Sequence, residues 1–229
     1  MKDLTLLVCN HNHGHFLKRM LRDVFNQTLD PSRWQLLIIH DECSDDSETI
    51  FEDAWKELCE ASGRSVDWLD YAAVSKEKKN GLANCKNFGL RRCDTEYVAY
   101  LDADDGMFPQ RLEMQLDMLM SPAGKYTDIC ACQAWDLDKN KLLVNCFSVG
   151  QYRTHVQIEQ RLPRENIICH GSVMLRKQAV MDVDGYKETP DVLGREDWDL
   201  WLRMMAVGKK FYTIPERLYI WSMGTSVER

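Results

Sequence analysis

Short apolar runs alternate along the chain with segments whose apolar residues recur every three or four positions. That alternation predicts strands and amphipathic helices in turn. Residues 4–9 read as a strand, and Phe16, Leu17, Met20, Leu21, Val24 and Phe25 follow as a helical stripe. "QLLIIH" at 35–40 reads as a second strand, and Ile50, Phe51, Ala54, Trp55 and Leu58 as a second helical face. "VDWLDYAA" at 66–73 alternates as a third strand, and "NGLANCKNFGLRRC" at 80–93 reads as a loop and a helix. "EYVAYLDADD" at 96–105 is a fourth strand that ends in carboxylates. Pro109 suits the first helical position of "PQRLEMQLDMLM". This order predicts an α/β fold, a mostly parallel central sheet flanked by helices. Such sheets bind ligands beyond the carboxyl ends of their strands. The loops at 11–15, 41–46 and 102–105 are therefore expected to open on one edge.

The second half is less regular. Residues 127–149 hold two apolar stretches separated by "DLDKNK", the pattern of a hairpin. Residues 150–166 are polar and expected to be rich in loop, and "IICHGSVMLR" at 167–176 reads as another strand. A short helix and "DVDGY" follow. "REDWDLWLRMMAVG" at 195–208 is a helix with Trp198, Trp201, Leu202 and Met205 on one stripe and Gly208 as its stop. Nothing marks a boundary, so residues 1–229 read as one domain.

Composition narrows the classes. The 229 residues carry a formal net charge of −7, which argues against a nucleic-acid backbone as partner. No apolar run has the length of a membrane span, and the N-terminal run lacks the pattern of a signal peptide. Nine scattered cysteines, mostly in apolar company, fit a reducing cytosol better than a disulfide framework. "CAC" at 130–132 has no second pair at zinc-site spacing. The expected location is cytoplasmic, including the cytoplasmic face of a membrane reached through an acceptor or partner.

Two clusters carry candidate chemistry. His11, His13 and His15 alternate, and on a strand they would share a face and could bind a metal. They fall in a strand-to-helix turn, however, which argues for a ligand-binding loop instead. Asp102, Asp104 and Asp105 crowd a strand end. Like charges this close repel unless a cation lies between them. Magnesium or manganese fits, since both prefer carboxylate oxygens and take further ligands from phosphates and water. A solvated acidic turn is the competing reading. "DECSDDS" as a helix cap, Gly81 with Asn84 as a turn, and Glu196 with Asp197 as first-turn carboxylates have equally plain structural readings.

Five segments in order resemble glycosyltransferase family 2, whose members have the GT-A fold, over nearly the whole chain. They are "LLVCNHNHGHFLKRMLRDVFNQT", "LLIIHDECSDDS", "NGLANCKNFGL", "YLDADD", and "VDGYKE" followed by "REDWDLWLRM". The resemblance implies a donor half at 1–105 and an acceptor half at 106–229. It implies a nucleotide-sugar donor, a UDP-sugar first, lying against Cys9, His11, Asn12, His13, Asp41, Gly81, Asn84, Asp102, Ala103 and Asp104. His11 would stack on the base and Asp41 would accept a ring N–H. Asp102 and Asp104 would hold Mn2+ or Mg2+ at the diphosphate, with Asp105 in support. Asp197 would be the base of an inverting transfer to a glycan, lipid-linked or other hydroxyl acceptor, with Glu196 as its alternate. His170 and Trp198 are further candidates for acceptor or diphosphate contact.

The chain departs from the family in places. His40 stands where an aspartate is common, and Cys9 where proline or threonine is. "LYIWSMGTSVER" has no histidine where relatives often place arginine and histidine near the diphosphate. Two other functions compete. A sugar-nucleotide nucleotidyltransferase usually opens with a Gly-rich basic loop, where this chain has "CNHNHGHFLKR". A catalytically silent nucleotide-sugar-binding module would not need Asp104 and Asp197.

Overall fold

Strands β1 (Leu4–Asn10) and β2 (Trp34–His40) are nearly continuous runs of apolar residues because both of their faces are covered. Leu4, Leu6 and Val8 face one layer, formed with helices α1 (Gly14–Phe25) and α2 (Ser47–Ser62). Leu7 and Cys9 face the other, formed with α3 (Gly81–Arg92) and α7 (Glu196–Ala206). The computed structural model describes residues 1–63, 66–72, 81–137, 142–145 and 151–222. The last residue of the expected third strand, most of "DLDKNK" and the end of "LYIWSMGTSVER", all read above from sequence, lie outside them.

Among the described residues one sheet runs in the order β3-β2-β1-β4-β8-β6-β9-β5, with β7 paired to β6. β3 (Asp67–Ala72), β2, β1 and β4 (Tyr97–Asp102) are parallel. β8 (Met174–Arg176) joins β4 antiparallel, and β6 (Ile129–Leu137) joins β8 antiparallel. β9 (Phe211–Trp221) runs parallel to β6, and β5 (Gly106–Met107) antiparallel to β9. The expected mostly parallel core with an antiparallel second half is therefore present. The expected hairpin is β6 with β7 (Leu143–Asn145).

The predicted stripes pack as amphipathic helices should. Leu17, Met20, Leu21, Val24 and Phe25 of α1 are buried, as are Phe51, Ala54 and Trp55 of α2. Phe25 and Trp55 meet edge-on at 4.8 Å, and Phe51 and Trp68 tie α2 to β3 at 4.9 Å. Burying each such ring contributes about 1.5–3 kcal/mol. Gln27 closes the layer. Its amide nitrogen donates to the carbonyls of Asp23 and Phe108, both at 3.0 Å, and its oxygen accepts from Leu112 N at 3.1 Å.

Four expectations change. Helix α4 (Arg111–Met120) starts after an N-cap at Gln110, so Pro109 lies just outside it, where its carbonyl accepts from Thr28 N at 2.9 Å. The apolar run 167–176 is strand only at β8, because a 3-10 turn at His170–Ser172 bends the backbone away from the ladder. The polar stretch before it contains α5 (His155–Arg161), nucleated by a reciprocal cap between Thr154 and Gln157. On α7 the fully buried apolar residues are Leu200, Trp201 and Met204, while Trp198, Leu202 and Met205 pack half-buried at the edge of that face. Helix α6 (Lys177–Met181) supplies the expected short helix before "DVDGY". Among the described residues no helix is long and apolar enough to cross a membrane.

Candidate active site at the carboxyl ends of the parallel strands

Parallel register brings the strand ends together: Asn10 lies opposite His40, and Cys9 opposite Asp102. Asn10, which the sequence pattern did not single out, organises this edge. Its buried amide donates to His40 Nδ1 at 3.0 Å and Cys43 Sγ at 3.3 Å, and its oxygen accepts from His13 N at 3.2 Å. The only sequence signal was a polar residue closing an apolar strand. Asn12 has φ +57°, a left-handed conformation that asparagine tolerates better than most residues. From there its Oδ1 accepts from Ser44 N at 2.7 Å and Asp45 N at 3.3 Å, which joins the two loops. Asp45 continues the joint, accepting from Gly14 N at 3.0 Å and Ser47 N at 3.2 Å at the starts of α1 and α2.

His11 is exposed but held. Its Nδ1 donates to the Asp41 carbonyl at 2.5 Å, and its Nε2 accepts from Asn12 Nδ2 at 3.3 Å. His13 turns edge-on to Phe16 at 5.9 Å, and His15, exposed on the first turn of α1, lies 3.9 Å from the same ring. His11 thus serves the neighbouring loop, while His13 and His15 both pack on Phe16. Burial raises the Asp41 carboxyl above its ordinary range, against the pull of His11. Helix α3 begins on that carboxylate: a Cβ at Gly81 would stand 2.9 Å from Asp41 Oδ2. Asn84 is buried one turn further on. Cys9 is half-buried and faces α3, against the fully buried Cys85.

The acidic loop sorts its carboxylates by burial. Ala103 packs into the core, which leaves Asp102 and Asp104 half-exposed on either side of it. Asp105 is buried; it accepts from the Tyr219 hydroxyl and, at 2.8 Å, from Ser222 N. Burial and then the charges of Asp102 and Asp104 hold the Asp105 carboxyl well above the carboxylate range. Arg19 donates to the Asp104 carbonyl and to Ser222 Oγ. Tyr219 reaches Asp105 because residue 171 is glycine: a Cβ there would lie 1.8 Å from its hydroxyl and 3.1 Å from Asp102 Oδ2. Among the described residues no three His, Cys, Asp or Glu side chains converge on a metal position.

On the far side, Asp197 sits in the first turn of α7. It accepts from Asn166 Nδ2 at 2.8 Å and from Trp198 N at 2.7 Å. Burial raises its carboxyl, opposed chiefly by the charge of Lys86 and then by Asn166. Glu196 is buried and turns back to accept from Gly194 N at 3.0 Å. Trp198 donates to the Leu162 carbonyl at 2.8 Å, anchoring α7 to the end of α5. His170 bonds the Tyr186 hydroxyl at 2.7 Å and lies 4.3 Å from the Tyr100 ring and 6.0 Å from Trp201. Burial first, then Lys86 and Arg111, push His170 well below 6.5, so it is neutral. His170 and Trp198 thus each have a partner within the protein.

"NGLANCKNFGL" and "VDGYKE" meet in space. Asn87 donates to the Tyr186 carbonyl at 2.8 Å and to Glu188 at 2.9 Å, and accepts from Tyr186 N at 2.8 Å. Gly185 has φ +71°, and a Cβ there would fall 2.5 Å from Asn87 Oδ1. The clamp holds Tyr186 with its hydroxyl on His170, whose ring lies between Tyr100 of β4 and Trp201 of α7.

A family model described as glycosyl transferase family 2 matches residues 5–183. The chain is 27% identical over 218 residues to the amylovoran biosynthesis glycosyltransferase AmsE of Erwinia amylovora, covering 95% of this chain and 74% of that one. It is 26% identical over 219 residues to the putative glycosyltransferase EpsE of Bacillus subtilis, covering 94% and 71%. Its fold superposes on S. aureus TarS 1–349 in complex with UDP-GlcNAc with a TM-score of 0.74 at 13% identity, covering 99% of this chain and 60% of TarS 1–349. It also superposes on the mannosyltransferase PcManGT from Pyrobaculum calidifontis in complex with GDP-Man and Mn2+, with a TM-score of 0.70 at 16% identity, covering 97% and 57%. The chain therefore spans less than two thirds of these two solved chains.

Proposed function

The chain belongs to glycosyl transferase family 2, and from that premise we propose that it moves a sugar from a nucleoside-diphosphate sugar to an acceptor hydroxyl, with inversion at the anomeric carbon. We read the donor as a UDP-sugar, residues 1–105 as the donor half and 106–229 as the acceptor half. The observation that carries this reading is a division of carboxylates. Asp41, Asp102 and Asp104 line the ends of β2 and β4, while Asp197, half-buried, stands apart from them in the first turn of α7, which packs on β4 through Trp201, His170 and Tyr100.

His11, with both ring nitrogens bonded, presents a fixed planar face on which a base can stack. Asp41 beside it is suited to accept the ring N–H of uracil. The pair Asp102 and Asp104 fits a divalent cation by type of donor: two hard carboxylates, with Asp105 committed to Tyr219 and Ser222. Magnesium or manganese in such a pair takes its remaining ligands from phosphate oxygens and water. Bound there, it would neutralise charge on the departing diphosphate.

Asp197 takes the proton of the acceptor hydroxyl as that oxygen bonds the anomeric carbon on the face opposite the diphosphate. The bond from that carbon to the phosphate oxygen breaks, and its electron pair leaves with the nucleoside diphosphate. A base whose carboxyl is raised by burial accepts a proton more readily than an ordinary aspartate. Asn166 and Trp198 N hold both of its oxygens in place.

Calorimetric titration of UDP, GDP, CDP and ADP, with and without manganese, tests the donor half. UDP is expected to bind and to need the metal. Asp104→Ala is expected to weaken that binding at least tenfold, about 1.4 kcal/mol. Binding of no nucleotide, or metal dependence that survives Asp104→Ala, would overturn the reading.

A further inference from the structure

Lys86 is an unusual resident of α3. It is 5% exposed, and lysine is almost never so buried without an anionic partner. Among the described residues its ammonium makes no ion pair; its recorded partner is the Tyr186 ring, whose centroid is 5.5 Å away. The position of that ring is not negotiable. Asn87, the next residue on α3, bonds both the N–H and the carbonyl of Tyr186, and the Tyr186 hydroxyl bonds His170. Lys86 is therefore confined between its own helix and a fixed aromatic wall.

The groups around Asp197 can be followed element by element. From the loop after α5 comes the Asn166 amide, a neutral donor. From the turn after α6 comes Tyr186, whose hydroxyl burial and its neighbours keep protonated. Behind Tyr186 lies His170, which is neutral. From α7 itself come the Trp198 N–H and Glu196, whose negative charge opposes ionisation of its neighbour. From α3 comes Lys86. Trp201, one turn on from Asp197 along the same face of α7, lies 6.0 Å from the His170 ring, His170 bonds the Tyr186 hydroxyl, and the Lys86 ammonium lies over the Tyr186 ring. Lys86 is therefore the cation of this cluster, and its charge favours the ionised Asp197. An ammonium cannot accept a hydrogen bond, and burial makes its charge felt further than in water.

We propose that Lys86 is a positioning residue for the base: its caged ammonium supplies the positive charge against which Asp197 works. The inference rests on Asp197 being the base of the proposed transfer. Without Lys86, burial and Glu196 would act on Asp197 with only neutral donors to oppose them. The carboxyl would then hold its proton to higher pH. A base must be ionised to act, so activity would be lost on the acid side first.

The test compares wild type with Lys86→Met, which keeps the stem and removes the charge, and Lys86→Arg, which keeps the charge. The carboxyl carbons of aspartate-labelled protein are titrated by NMR, with Asp197 assigned by its loss in Asp197→Asn. In Lys86→Met the Asp197 midpoint is expected to rise by about one pH unit or more, the usual effect of removing a close opposite charge. In Lys86→Arg it is expected to stay near wild type. In transfer assays, the acid limb of kcat is expected to move up by the same amount in Lys86→Met. Activity would fall about tenfold below the limb and recover above it, while UDP affinity stays within about twofold. A packing role alone would lower activity at every pH without moving the limb. An unmoved Asp197 midpoint, or weakened UDP binding with an unmoved limb, would overturn the proposal; the second result would assign Lys86 to the diphosphate. The NMR titration needs no substrate. If Asp197 shifts and no sugar donor is turned over, the coupling stands and the transferase reading fails.

Discussion

At the ends of β1 and β2 the candidate side chains are held by loop backbone; around β9 and α7 they are held by one another and by burial. His11 leans on the Asp41 carbonyl, Asn12 on two amides of the next loop, and both remain open to solvent or nearly so. Asp105 and Tyr219 bond each other in the interior, and His170 and Tyr186 do the same. The difference teaches where a substitution should register. A side chain on an exposed edge can be removed at little cost to the fold. A polar side chain inside a network leaves its partner unsatisfied when it goes.

The strongest test of that contrast is Asp197→Asn. It keeps the shape and the Trp198 contact but cannot take a proton. Transfer is expected to fall 10²–10⁴-fold, about 3–5 kcal/mol in the barrier, with UDP affinity unchanged by calorimetry. An equal loss of nucleotide binding would place Asp197 on the donor and break the division. Tyr219→Phe is next. Removing the hydroxyl strips a buried carboxyl of a donor and is expected to cost about 1–3 kcal/mol of stability in urea denaturation. His11→Ala is its mirror image. Stability should stay within about 0.5 kcal/mol, since the ring is exposed, while UDP binding weakens by about 1–3 kcal/mol. A destabilised His11→Ala would show that the loop is a structural brace.

The smallest effect concerns His170. Folded, it resists protonation; unfolded, it titrates near 6.5. The unfolded chain therefore binds more protons below that pH, and stability falls as the solution is acidified. The slope is at most about 1.4 kcal/mol per pH unit. His170→Asn should flatten it in melting curves recorded between pH 7 and pH 5. An unchanged slope would mean that the imidazole is solvated.

The first half of the chain was legible because parallel strands buried on both faces leave one signature, an apolar run, and place their polar residues at its end. Residues 4–9, 35–40 and 96–102 show it plainly. The other half hid for specific reasons. β9 carries Pro215, Glu216 and Arg217 in its middle, where register shifts against β6 at Gln133 interrupt the ladder. A charged interruption inside an apolar strand looks like a loop. The run 167–176 looked like a strand because burial, not extension, makes it apolar. The helix that the Thr154 and Gln157 cap starts buries little more than Ile158, so no apolar stripe marks it in the sequence. At the site, the carboxylates stood out by spacing. Asn10, Lys86 and Asn87 did not, since what each does depends on a partner far along the chain.

The bond from Ser222 N to Asp105 spans 117 residues, and the one from Tyr219 spans 114. The acidic loop is thus made more than a hundred residues before the partners that complete it at the end of the ninth strand. While the ribosome is between them, Asp105 has neither partner, and three adjacent carboxylates repel with nothing to order them. A nascent chain can already carry the ends of β1, β2 and β4 and still lack a finished floor beneath them. Closure of the acidic loop is in this sense a late event in the life of the polypeptide, timed by the emergence of β9.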